Sequence, residues 1–265
     1  MAIKRKQATK EKDWLTAIEN IESTVSKSQI QKLVDDTVND ILIKIKDKKA
    51  AYSWSGGKDS IALRYVCELA GVSDCVFVYC NLEYHAFMDW VARNKPEKCK
   101  MINTGQDLAW LSTHQDMLFP QDAKTAAKWF KIVQHKGQEI YYKEHSLDML
   151  LLGRRRADGN FVGKGNNIYT NSKGITRFSP LADWTHEEIL ACIHYFDLPI
   201  PPIYSWKNGY LCGTHNWASR QWTGSIENGW KEVYDIEPRI VVNASKYIES
   251  AGEFLHGKTK EKFDS

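Results

Sequence analysis

A chain of 265 residues with 43% apolar content and 12% aromatics is long enough to bury one sizeable core with a small appendage. Its formal net charge of +3 is too small to imply nucleic-acid binding, which it neither supports nor excludes, and its longest apolar runs, "DMLLLG" and "DCVFVYC", fall far short of the ~20 residues of a membrane span. Cys67, Cys75, Cys80, Cys99, Cys192 and Cys212 form no CxxC pair, and no early apolar run resembles a signal peptide; the expectation is a soluble, cytoplasmic protein with reduced thiols and no membrane partner.

In chain order, residues 1–12 are polar and lysine-rich and read as a solvated tail. From Trp14 to Lys46 apolar residues recur at helical spacing, which predicts two packing helices and a helical N-terminal extension over 1–47. Residues 50–54 predict a short strand, 61–70 a helix, and "CVFVYC" at 75–80 a strand buried on both faces. A helix near 86–94, a weak strand at 100–103, a long helix over about 123–145 and a buried strand at 148–153 continue the alternation. The fold class is therefore α/β, a doubly wound open parallel sheet whose ligands sit at the C-terminal ends of the strands. Three segments follow strands and are expected to converge there: Ser55 to Ser60, Asn81 to His85, and Gly153 to Arg156. Residues 48–217 are assigned to the nucleotide-binding domain. Residues 218–265 are assigned to an aromatic appendage with an amphipathic helix over 238–255 and a disordered polar tail.

The stretch "AYSWSGGKDSIALRY" at 51–65 places Ser55, Gly56, Gly57, Lys58, Asp59 and Ser60 between strand and helix. A run of backbone N–H groups, two hydroxyls and an ammonium at a helix N-terminus favours an anion, because the first amides are unpaired and the macrodipole is positive there. The turn reads as a phosphate cradle rather than a merely flexible Gly/Ser connection. It is not a Walker P-loop, which needs G-x-x-x-x-G-K-[ST]: here the glycines are adjacent and Lys58 precedes Asp59. Arg154, Arg155 and Arg156 directly follow a buried strand, and guanidinium groups bind phosphate bidentately and stay charged. They are candidate nucleotide contacts, Arg154 and Arg155 ahead of Arg156. The Gly- and Asn-rich segment 157–177, with Lys164 as a candidate contact, reads either as a lid that orders on substrate or as a disordered connection.

"SGGKDS" is similar to the signature of the PP-loop ATP pyrophosphatases. "GRRRADGN" at 153–160, "FSPLADWTHEEILACIHYFDLPIPPIY" at 178–204 and "NGYLCG" at 208–213 resemble the segments that follow in the phosphoadenylyl-sulfate (PAPS) reductase group, which includes the small ATP-binding subunit of sulfate adenylyltransferase. The ordered motifs span roughly residues 48–217. Part of "PLADWT" also has a local account: Thr185 and Glu188 form a capping box, and Leu198-Pro199 ends the helix. The resemblance implies an adenine nucleotide α-hydrolase-like, Rossmann-like fold, with ATP and Mg²⁺ as cofactors. It implies a cradle of Ser55, Gly56, Gly57, Lys58, Asp59 and Ser60, joined by Arg154, Arg155 and Arg156, that grips the nucleotide while an unknown acceptor attacks the α-phosphorus and pyrophosphate leaves. Lys58, Asp59 and Arg155 are the candidate catalytic residues, and Asp59 the candidate Mg²⁺ ligand. A partner protein or a homo-oligomer remains open.

Two other readings stand beside adenylyl transfer. In a PAPS reductase a cysteine thiolate attacks the sulfonyl group; here only Cys212, in "CGTH" with His215 as activator, could serve. Against it, "SGGKDS" is intact rather than serine-rich, and no cysteine follows Cys212. Cysteine spacing for an iron–sulfur cluster is also absent. In the other reading the chain is a nucleotide-binding regulatory module without turnover, which a fold alone does not exclude; the crowd of Trp184, Trp206, Trp217, Trp222 and Trp230 suits an interface as well as a core. After the second strand the sequence departs from its relatives: in "CNLEYHAF", Asn81 stands where they carry an acid and Glu83 where they carry glycine. Glu83 and His85 are candidates for a metal or a second substrate, weighed against purely structural roles.

Overall fold

The computed structural model describes residues 10–221 and 223–263. Most of the expected N-terminal tail, and Trp222, lie outside them, while Glu11 and Lys12 are already helical. The chain opens with α1 (Glu11–Glu19), α2 (Ile21–Thr24) and α3 (Lys27–Ile45). Val25 is extended and Ser26 starts the second expected helix through a capping box with Gln29, but the first is interrupted at Asn20, whose backbone leaves the helical region (φ −107°, ψ 17°), so the two expected helices are three.

Next come β1 (Ala50–Ser53), α4 (Lys58–Leu69), β2 (Cys75–Tyr79), α5 (His85–Asn94) and β3 (Cys99–Asn103). Each element falls where the alternation places it, except that α4 starts at Lys58 rather than Ile61, so part of the glycine turn is already helical. The short α6 (Leu108–Ser112) is capped by Asp107. The long helix over 123–145 consists of α7 (Ala123–Phe130), a π-helical turn (Lys131–His135) and α8 (Lys136–Glu144).

β4 (Met149–Leu151) follows. The segment read as lid or disordered connection contains β5 (Ile168–Thr170), which pairs antiparallel with β6 (Thr176–Phe178). α9 (His186–Tyr195) carries the Thr185/Glu188 capping box that its sequence predicts, and α10 (Gly209–Cys212) is a single turn.

The C-terminal part differs from expectation. It holds α11 (Ile226–Ile236), α12 (Pro238–Ala244) and α13 (Glu249–Phe263). The one helix over 238–255 is therefore two, and the polar tail is helical to Phe263. Packing supplies the reason: Trp230 Nε1 of α11 donates to Ser250 Oγ of α13 at 3.0 Å, and the Tyr234 and Phe254 rings meet with centroids 5.7 Å apart.

The six strands form one sheet in the order β3-β2-β1-β4-β6-β5. β1 runs parallel to both β2 and β4, and β4 is parallel to β6. This is a mostly parallel, doubly wound sheet with an antiparallel edge. Strand alternation identifies the helix on each face. Tyr52 donates to Glu68 of α4, and Lys44 of α3 lies 4.7 Å above the Phe178 ring. The next residue of β1, Ser53, faces the other way and accepts from Gln138 of α8 at 3.0 Å.

The chain divides into two compact units, one of residues 1–78, 90–102 and 138–214, the other of 79–89, 103–137 and 215–265. The N-terminal helices belong to the unit of the sheet. In the other unit Phe119 meets Trp230 edge-on at 4.9 Å. A Cβ on Gly229 would lie 2.3 Å from the Phe119 ring, so only glycine fits there. No described helix is long and apolar enough to cross a membrane.

Candidate functional site

The turn between β1 and α4 is held shut by its own hydroxyls. Ser55 N–H donates to Ser60 Oγ at 3.0 Å, Ser60 Oγ donates to Gly57 O at 2.9 Å, and the two serine hydroxyls lie 3.1 Å apart. Gly56 has φ +69°, a conformation that costs glycine little. A Cβ on Gly57 would fall 3.1 Å from Thr214 Oγ1, 3.3 Å from Ser55 Oγ and 3.5 Å from Tyr204 Oη, so three hydroxyls surround that backbone. On the β4 side, a Cβ on Gly153 would come within 2.9 Å of Asp59 O. The strand exit and the first turn of α4 therefore touch, backbone to backbone.

Lys58 is 5% exposed. Its amide donates to Tyr204 Oη at 2.8 Å, and its ammonium lies 2.7 Å from Asp59 Oδ2 and 5.0 Å from the centre of the Trp14 ring. Burial, with Asp59 nearby, pushes the Tyr204 hydroxyl far above the ordinary phenol range. Trp14 in turn meets His186 at 4.7 Å and stacks on Tyr210 at 5.7 Å. Neither Trp14 nor Tyr204 is singled out by sequence reasoning. Trp14 reads as an ordinary packing residue of a helix, and only the position of Tyr204 inside a motif of the resemblance signals its importance.

The three consecutive arginines point to three different partners. Arg155 is fully buried. Its Nε donates to Asp59 Oδ1 at 2.8 Å, its Nη1 to Trp184 O at 3.1 Å, and its Nη2 lies 3.1 Å from both Asp158 Oδ2 and His186 Nδ1. Arg156 is exposed and pairs with Asp183 and Asn167. Arg154 donates to Tyr169 Oη at 2.8 Å. Burial, and then the charge of Arg177, lower its pKa from the ordinary guanidinium value. Arg155 is tied to the glycine turn, through Asp59. Lys164 lies exposed in the segment before β5.

Asp59, the expected Mg²⁺ ligand, carries neighbours on both of its carboxylate oxygens. One carboxylate oxygen is engaged by Lys58 and the other by Arg155, and no group of three or more His, Cys, Asp or Glu residues among those described could hold a metal ion.

Asn81 to His85 belong to the second unit. Cys80 N–H donates to the Glu83 carboxylate at 3.3 Å, and burial pushes that carboxyl up to about 7 despite this bond. Glu237 accepts from His85 N–H at 3.1 Å and from Ala86 N–H at 2.8 Å, while His85 Nδ1 lies 2.9 Å from the same carboxylate. Glu237 thus satisfies the open amides at the start of α5, a structural role that extends to His85. Cys212 ends α10 half-buried and outside any disulfide. His215, the proposed activator, belongs to the second unit, where it meets Phe130 edge-on at 5.0 Å.

The family described as phosphoadenosine phosphosulfate reductase domain matches residues 49–216. A phosphoadenosine 5'-phosphosulfate reductase of Vibrio parahaemolyticus is 23% identical over 144 residues, covering 54% of each chain. One of Aliivibrio fischeri is 21% identical over 187 residues, covering 67% of this chain and 70% of that one. The chain thus spans about half the length of the Vibrio relative. Among solved structures, a phosphoadenylyl-sulfate reductase of Candida auris in complex with phosphate has 16% identity and a TM-score of 0.48, covering 69% of this chain and 94% of that one.

Proposed function

The chain belongs to the phosphoadenosine phosphosulfate reductase domain family, and from that premise we propose that it binds ATP at the Ser55 to Ser60 turn and cleaves it between the α- and β-phosphates. The products are pyrophosphate and an adenylated acceptor. The observation that carries this reading is the closed "SGGKDS" turn at the head of α4, where the hydroxyls of Ser55, Tyr204 and Thr214 surround the Gly57 backbone. Helix-terminal amides and neutral hydroxyls suit a multiply charged anion. Lys58 neutralises charge building on the departing pyrophosphate, and Ser55, Gly56, Gly57 and Ser60 shape the cradle. Asp59 and Arg155 act as positioning residues, because their charged ends are engaged with one another and, for Asp59, with Lys58. No protein nucleophile enters the step: the acceptor's lone pair forms the new bond to the α-phosphorus while the bond to the bridging oxygen breaks, leaving its electron pair on pyrophosphate.

Chromatography of products from ATP labelled at the α-phosphate, with candidate acceptors or cell extract supplied, tests the reading. AMP or an AMP adduct, with pyrophosphate, is the expected outcome. ADP as the specific product would overturn it, and tight binding with no cleavage under any acceptor condition would favour the regulatory module.

The relatives named as reductases, together with Cys212, which is in no disulfide, favour thiol-dependent sulfonyl transfer as a second reading. Cys212→Ser separates the two. We expect ATP cleavage to remain within about twofold of the parent protein, since Cys212 has no part in the proposed step. Sulfite release from phosphoadenylyl sulfate with thioredoxin, abolished by Cys212→Ser, would reverse the ranking.

A further inference from the structure

On the α8 face of the sheet, away from α3 and α4, a second cationic cluster stands apart from the glycine turn. Ala51, Leu150, Arg177 and Tyr169 are successive cross-strand neighbours on β1, β4, β6 and β5, so they share the face on which Ser53 meets Gln138. Arg177 is 5% exposed, yet its Nε has no hydrogen-bond partner, and its Nη1 makes only a long 3.5 Å contact to Tyr169 Oη. The same phenol oxygen accepts from Arg154 at 2.8 Å. Two positive groups therefore converge on one neutral oxygen. Two residues beyond Arg177 and just past the end of β6, Ser179 continues the pairing with the β5 side through its amide to Asn167 O at 3.0 Å, and its fully buried hydroxyl also lacks a partner.

A buried guanidinium with an unsatisfied N–H carries a large desolvation cost that a neutral phenol does little to offset. Proximity of Arg154 raises that cost, since like charges oppose one another. The cost falls when an anion bridges the two guanidinium groups and accepts from Nε and the serine hydroxyl. The number and planarity of the available donors suit a tetrahedral oxyanion. Phe161, 59% exposed, sits edge-on to the Tyr169 ring at 4.9 Å and lines a surface hollow with Arg156, Asn160 and Val162. The cluster thus lies beside an open approach.

We propose that Arg154, Arg177 and Tyr169, with the hydroxyl of Ser179, form an oxyanion site distinct from the glycine turn, built for a phosphate- or sulfate-class group. This inference stands on the cluster itself and does not require that the turn bind ATP.

The test uses the full chain and inorganic phosphate as the probe, with ionic strength matched by chloride, and reads the rise in melting temperature as phosphate is titrated. It is carried out in a Gly57→Asp background, which blocks the turn. There we expect a saturable phosphate response, weakened about tenfold or more by Arg177→Met, the range for loss of a charge-assisted hydrogen bond. Without phosphate, Arg177→Met should melt no lower than its parent, because it removes a poorly satisfied buried charge. A response lost in Gly57→Asp alone, or unchanged by Arg177→Met, overturns the site while leaving the ATP reading intact. Should Arg177→Met fail to fold, Tyr169→Phe removes only the hydroxyl that both arginines share and must weaken phosphate binding. A tungstate-soaked crystal supplies a direct readout: an anomalous peak between Arg154 and Arg177 is expected, and a peak at the glycine turn alone overturns the site. Saturating ATP on the protein with an intact turn then separates the sources of the group. Loss of the Arg177-dependent response identifies a phosphate carried on the nucleotide, and its survival identifies a separate anion.

Discussion

Replacing Arg155 with alanine is expected to cost about 3–5 kcal/mol of folding stability, the range for removing one partner of a buried ion pair. Arg155 is fully buried, while the Asp158 and Asp59 side chains are 11% and 25% exposed. Its loss would leave these carboxylates with no guanidinium and Trp184 O without its 3.1 Å donor. Urea denaturation followed by circular dichroism measures the effect, and a large fall in the midpoint is the expected result. Were Arg155 instead a direct ligand of the nucleotide, the variant would keep its midpoint and lose only turnover. Arg155→Lys should recover part of the stability, because an ammonium restores the charge but not the fork that reaches Asp59, Trp184 and His186 together.

That distinction marks where the sequence stops being informative. The alternation of strands and helices over 50–153 can be read from apolar periodicity, and the place of "SGGKDS" between a strand and a helix from its glycines and serines, since both are local properties of short windows. The capping box at Thr185 is local too. The fates of Arg154, Arg155 and Arg156 are not: although Asp158 is only three residues from Arg155, the three identical neighbours are sorted by Tyr169, by Asp59 and by Asp183, at sequence separations that no short window spans. Trp14 is similar, for its spacing marks a buried helix face, while its place over Lys58 depends on tertiary packing. At the C-terminus, α11 is legible but is not among the expected elements: in "IENGWKEVYDI" Ile226, Trp230, Val233 and Tyr234 recur at helical spacing. Its burial rests on Trp230 and Val233 against partners elsewhere in the chain.

Gly57→Asp is expected to weaken ATP binding at least a hundredfold, about 2.8 kcal/mol. The new Cβ would sit at 3.1–3.5 Å from three hydroxyl oxygens, and the carboxylate would place negative charge where phosphate is expected. Isothermal titration calorimetry of the folded variant, with the nucleotide supplied as its magnesium salt, measures the change. Unchanged affinity would remove the glycine turn from the proposed function, because steric and electrostatic exclusion act there together. The same measurement on Gly153→Ala gives a graded comparison: its Cβ reaches Asp59 O at 2.9 Å from the β4 side and displaces the helix start without adding charge.

The bond from Lys58 N–H to the Tyr204 phenol means that the head of α4 already contains a tenant. One amide at the head of α4 is satisfied by the protein's own oxygen, so an arriving phosphate that takes this amide evicts a neutral acceptor and gains only the difference between two hydrogen bonds. On the proposed function, affinity at that position is a contest between a charged oxygen and a phenolic one, and the phenol that already holds the amide discriminates against weaker acceptors such as water.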